Sequence, residues 1–146
     1  SDRATPAIGP EVDETIFNAY FALQTETPEI ISEYYYSQHE RTNTAGANGD
    51  TKSFYAQIAY RLPGFEKFKP YARYENTDVD ADDPLLGGLG LNFERLLVGV
   101  RWDFSYYAAL KGEYRSEDQA GVGDVDSFWL QVAFVIGGGG TTYAAR

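Results

Sequence analysis

Cysteine and methionine are absent from the 146 residues, and histidine occurs once, at His39. Without cysteine there is no disulfide framework and no thiolate metal site. With no methionine to open it, and no signal peptide in it, the sequence is expected to begin after a cleavage, a processing step or a truncation. No apolar run approaches the roughly 20 residues of a membrane-spanning helix. A helical membrane protein is therefore not expected, whereas a membrane β-barrel stays open, because alternating strands escape hydropathy averaging. Basic residues are few: 12 Lys and Arg stand against 22 Asp and Glu, a net charge of −10. Nucleic acid, which needs a basic surface, is not an expected partner. The same charge argues against electrostatic attraction to anionic lipid. The length suits one domain.

Aromatic residues are plentiful, with 12 Tyr, 9 Phe and 2 Trp. They fall into a period-two pattern that is clearest over 93–136. One side of that stretch carries Leu96, Val98, Val100, Trp102, Phe104, Tyr106, Ala108, Leu110, Tyr114, Phe128, Leu130, Val132, Phe134 and Ile136. The other carries Arg95, Arg101, Asp103, Lys111, Glu113, Arg115 and Gln131. Period two is the signature of strands with two different faces. A face so charged is not a packed core, and a face so rich in aromatics is not usually left to water. A sheet apolar outside and charged inside fits a barrel in a membrane.

In chain order, residues 1–13 hold two prolines and no period, and read as a loop or loose end. Strands are expected at 15–23, 29–39, 53–62, 69–77, 93–104, 107–115 and 127–136. Pro70 sits at the start of the fourth, where a missing donor is tolerated. Short connections follow strands one, three and five, at 25–28, Pro63-Gly64 and Ser105-Tyr106. Long ones follow strands two, four and six, at 40–52 (with the turn signal Asn48-Gly49), 78–92 and 117–126. A Gly-rich tail occupies 137–146. Outer-membrane barrels show this asymmetry of loops. Aromatics also gather at both ends of the apolar face. Tyr60, Trp102, Phe104, Tyr106 and Phe134 lie near the short turns, and Tyr36, Phe54, Tyr74, Tyr114 and Phe128 near the long loops. Aliphatic residues such as Ile58, Val98, Leu110 and Val132 lie between them, as between two interfacial girdles.

The phrases Tyr-Ala-Gln-Ile-Ala-Tyr-Arg-Leu (55–62), Lys-Pro-Tyr-Ala-Arg-Tyr-Glu (69–75) and Phe-Trp-Leu-Gln-Val-Ala-Phe-Val-Ile (128–136) carry a resemblance. They look like the C-terminal strands of Gram-negative porin-like outer-membrane proteins, over roughly 14–136. The resemblance is one of pattern and phrase and carries no catalytic signature. It implies an outer-membrane location, contact with lipid, and passage of small hydrophilic solutes; trimers are common among such porins. Such proteins usually finish on an aromatic residue, whereas this chain ends on Arg146. Long loops on the extracellular side would start strand one outside the cell, and seven strands is an odd number. Bacterial barrels start in the periplasm and have even strand numbers. The expected fold is thus an all-β, antiparallel up-and-down transmembrane barrel, with these strands its C-terminal part. The rival is a complete eight-stranded barrel, with an eighth strand hidden in 1–13 or 137–146.

The expected functional residues are the inward charges Glu33, Arg61, Arg73, Glu75, Arg95, Arg101, Asp103, Lys111, Glu113 and Arg115. They either line a water-filled lumen and sort solutes or pair across strands, each pair attracting by roughly 0.2–1 kcal/mol. His39 reads as a solvated residue at a loop edge. Asp78, Asp80 and Asp82 open like a calcium loop, but Asp83 and Leu89 stand where Gly and Glu are required, so the loop reads as solvated. Gly87–Gly90 reads as flexible and not as a phosphate cradle. No enzyme, cofactor or metal is expected. The alternatives to a porin-like channel are a non-conducting structural or adhesive barrel, and a soluble ligand-binding barrel with its apolar face turned inward.

Overall fold

The computed structural model describes residues 12–25, 27–42 and 48–134. They form seven strands: β1 (Val12–Gln24), β2 (Glu29–Arg41), β3 (Gly49–Ala59), β4 (Phe68–Val79), β5 (Phe93–Ser105), β6 (Ala108–Gln119) and β7 (Gly123–Phe134). Each pairs antiparallel with the next, in the sheet order β1-β2-β3-β4-β5-β6-β7. There is no helix among the described residues. The alternation of the sequence explains the choice, since aromatic and β-branched residues at every second position suit a pleated surface. β1 and β7 make no contact with each other. The described strands are therefore an open meander and not a closed barrel.

Register places every alternating residue. Tyr20, Glu33, Tyr55, Glu75, Arg95 and Glu117 are paired in succession across β1 to β6 and share one face. Ile58, Ala72, Val98, Tyr114 and Phe128 are paired in succession on the other. The sheet curls toward its polar face. Glu29 on β2 and Lys111 on β6 line one small recess, although four strand spacings in a flat sheet are about 19 Å. Side chains two strands apart also meet there, as Lys69 does with Glu29 at 2.8 Å.

The apolar face has a slanted outline. On β1 and β2 its aromatic margin is the paired row Phe17 and Tyr36. On β3 the margin moves one row along to Phe54, opposite Asn76, and on β4 one further to Tyr74, opposite Ala56. On β6 and β7 it has moved a third row, to the pair Tyr114 and Phe128. Rows on one face are two residues apart, so three rows over the six steps from β1 to β7 amount to about one residue per strand. The opposite margin runs parallel. It starts at Leu23 on β1, paired with Ile30, and reaches Phe134 on β7, paired with Ala108. Both margins bound a band of constant width that crosses the hydrogen-bonded rows diagonally.

Several strand limits differ from the sequence expectation. β1 begins at Val12, inside the segment read as a loose end, and β3 begins at Gly49, four residues before Ser53. The expected polar loop 117–126 is a turn of Ala120, Gly121 and Val122 between β6 and β7. Gly121 and Gly123 take φ of 83° and 84°. Those angles suit glycine, and they let Glu117, Asp118 and Gln119 pair with Val125, Asp124 and Gly123. Polar composition there marks strand ends in water, not a loop. By these bounds the connections after β2 and β3 hold seven residues (42–48) and eight (60–67), that after β4 thirteen (80–92) and that after β6 three, so the expected alternation of long and short connections is not kept. Ile136, the tail 137–146 and residues 1–11 lie outside the described residues.

Candidate functional site

All ten expected inward charges lie on the polar face. Arg73 donates from Nε and Nη2 to Gln57 Oε1, at 3.0 and 2.8 Å, and from Nη1 to Glu75 at 3.0 Å. Arg95 bridges Glu75 and Glu117, each at 2.7 Å. Arg115 holds Glu113 at 2.5 Å. Nearer the β5–β6 turn, Asp103 accepts from Arg101 at 2.7 Å and from Arg61 at 3.0 Å. Lys111 stands 5.8 Å from the centre of the Tyr71 ring. Glu33 accepts from Asn18 Nδ2 at 2.7 Å.

Tyr71 shows how backbone shape sets this wall. Its hydroxyl donates to Glu113 Oε1, two strands away, at 2.5 Å. The ring crosses β5 over Gly99, where an added Cβ would sit 2.7 Å from the ring. Glycine leaves the gap through which β4 reaches β6. In the sequence, Gly99 is only an interruption in an apolar run, so this link was not legible there. Gln57, Glu29, Lys69, Tyr71 and Glu117 belong to the same web and were not among the expected site residues.

The expected girdle aromatics lie on the apolar face, with one exception. Phe54 packs against Tyr74 at 6.4 Å between ring centres, and Tyr114 against Phe128 at 5.0 Å. Trp102 stacks on Phe68 at 5.9 Å and touches Phe104 at 5.5 Å. Tyr36 donates to Asp50 at 3.1 Å, and Tyr60 and Phe134 are exposed. Tyr106 belongs to the β5–β6 turn, where it contacts Tyr107 edge-on at 5.1 Å. Phe17, Phe21 and Phe68 extend the set.

His39 is not solvated. It is only 2% exposed. Its Nδ1 lies 2.7 Å from Asp83 Oδ2 and its Nε2 lies 3.1 Å from Glu14 Oε1. Asp83 belongs to the β4–β5 connection, which folds back over the β1–β3 end of the polar face. Its other oxygen accepts from the N–H groups of Leu85 and Leu86, both at 2.8 Å. The run Asp83-Pro84-Leu85-Leu86 is a helix-start pattern, with a capping aspartate before proline, so this half of the arrangement had a local signal. Gly49 receives the loop: an added Cβ there would lie 2.3 Å from the Asp83 Cα. Asp80 ties the loop to β3 by exchanging hydrogen bonds with Asp50, both at 3.0 Å. Asn92 closes the loop base on Val79 at 2.8 and 3.2 Å. Asp83 and Asp80 thus seat the loop on β2 and β3, while Asp78, Asp80 and Asp82 themselves stay exposed, as expected of a solvated acidic run.

His39 and Asp83 lie beyond the apolar band, and each shifts the other. Burial disfavours the charged imidazole, but the hydrogen bonds to Asp83 and Glu14 outweigh it and hold the His39 pKa above its ordinary value. Burial also pushes Asp83 upward, yet the bonds from His39 and from Leu86 and Leu85 N–H hold it below the usual carboxylate range. With both ring nitrogens engaged, His39 has none left for a nucleophile. Beneath it, Ser37 Oγ and Thr51 Oγ1 are buried without a hydrogen-bond partner. No cluster of three or more His, Asp or Glu side chains suited to a metal occurs among the described residues.

Comparison of the chain with protein-family models, with curated proteins and with solved structures finds no match. The class that the fold defines is an all-β antiparallel meander of seven strands with one apolar and one ion-paired face.

Proposed function

We propose that this sheet is an arc of an outer-membrane porin-like barrel, with its apolar face in lipid and its polar face lining a path for small hydrophilic solutes. The observation that carries the reading is the slanted apolar band. A step of one residue per strand is about 3.3 Å along for about 4.8 Å across, a slant of about 35°. Membrane barrels tilt their strands by about 35–45°. A belt level with a membrane must cross their hydrogen-bonded rows at that angle. Strands of 11 to 13 residues are long enough to span. The free edges fit the same picture: β1 and β7 run in the same direction, so an all-antiparallel closure needs an odd number of further strands.

The ion-pair web favours one variant of this reading, a barrel whose polar face is structural and does not conduct. A soluble ligand-binding barrel needs the opposite curl, with the apolar face inside. Gel mobility in detergent, boiled against unboiled, tests the barrel. A shift on boiling supports it, and a boiled mass well above 16.3 kDa supports a larger channel. A chain that stays monomeric in detergent-free buffer sinks it. Planar-bilayer conductance then separates channel from non-conducting barrel.

A further inference from the structure

We infer that the recess on the polar face between β2 and β3 binds a small organic ammonium ion, with Glu33 as its counter-charge and tyrosine rings as its walls. Among the inward glutamates, Glu29, Glu75, Glu113 and Glu117 each lie within 3.0 Å of a Lys or Arg nitrogen. Glu33 has no such cation among the described residues. Its bond is to Asn18, at 2.7 Å, a neutral amide that aims the carboxylate without cancelling its charge.

Register surrounds this carboxylate with rings. Tyr20 and Tyr55 are its direct partners on β1 and β3. Tyr35 lies two residues further along its own strand on the same face. Glu33, Tyr35, Ser53 and Tyr55 line a recess of about 300 Å³, at the small end of the range for ligand sites. Arg73 already rests 5.4 Å from the Tyr55 ring centre, so this wall accepts a cation on an aromatic face. That guanidinium is tied to Gln57 and Glu75, which leaves Glu33 for a guest. A neutral solute would leave the carboxylate uncompensated, whereas an alkylammonium supplies both the charge and the apolar surface that rings attract. The net charge of −10 draws cations toward the wall.

The inference deepens the channel reading and depends on it for the route by which a solute arrives; the geometry of the recess stands apart from it. The test is titration of the detergent-solubilised full chain with choline by calorimetry, beside its uncharged carbon isostere 3,3-dimethylbutanol and glucose. Choline is expected to bind at least tenfold more tightly than the isostere, which is about 1.4 kcal/mol. Glu33→Gln keeps the Asn18 bond and is expected to lose about tenfold in choline affinity. Tyr55→Phe keeps the ring and should retain it. Equal affinity for choline and the isostere, an unaffected Glu33→Gln variant, or tighter binding of glucose would each overturn the site. A folded protein that binds choline yet shows no bilayer conductance would overturn the channel and leave the site standing.

Discussion

At the residue scale, the buried contact of His39 with Asp83 governs the β4–β5 loop. His39 has a raised pKa, so its contribution is full below the ordinary histidine value of about 6.5 and fades as pH rises through the folded value. Asp83 has a lowered pKa, so its contribution is full above about 3.9 and fades as pH falls through the folded value. The loop is therefore held best between those two limits. Protection of the amides over 80–91, taken relative to their intrinsic exchange rate at each pH, should be greatest near pH 5 and smaller at pH 8.5, and His39→Gln should flatten the difference. Equal protection at both pH values would show that backbone contacts alone hold the loop. Gly99 offers a second residue-scale prediction. Gly99→Ala should displace Tyr71 from Glu113 and cost about 1–3 kcal/mol through overpacking. Tyr71→Phe should cost about 1.5–3 kcal/mol, the worth of one hydrogen bond to a charged acceptor. Denaturation midpoints in detergent compare the two.

At the element scale, the hairpins divide by how their turns are made. The β6–β7 turn depends on two glycines at positive φ. Gly121→Ala or Gly123→Ala should each destabilise the hairpin by about 1 kcal/mol or more, because both positions lie where Cβ clashes with the backbone. Refolding yield into detergent micelles measures this, and Gly112→Ala, where an added Cβ meets nothing within 4 Å, is the control. The strands themselves were legible in the sequence, because each has two faces of opposite character. Their ends were not. Glu117 to Asp126 is polar in both faces, so period two vanishes there although pairing continues. The seating of Asp83 on His39 joins residues 44 positions apart and leaves no local pattern beyond the capping run.

At the scale of the whole molecule, the slanted band predicts where charge is tolerated. Val98 lies within the band and Glu94 at its margin, on the same strand and face. Val98→Arg should cost about 2–4 kcal/mol if the band meets lipid at mid-depth, and Glu94→Arg should cost about 0–1 kcal/mol at the interface. Folding titrations into lipid vesicles measure both. Equal costs would mean that the band does not face a bilayer. The wall of paired charges makes a complementary case. Arg95 serves Glu75 and Glu117 together, so Arg95→Ala leaves two partly buried carboxylates facing one another.

The sequence by itself determined the strand count, the two faces and the identity of most charges on the polar face, though not Glu29, Lys69 and Glu117. Period two is a local property, written into each strand before any pairing occurs. Only the tertiary structure decided which charges meet, because ion pairs such as Arg61 with Asp103 depend on register and curl across strands. It also decided that the acidic loop is seated and its histidine buried. The diagonal run of the aromatic margin emerges only when the strands are laid side by side, since tilt is a relation between strands and belongs to none of them alone.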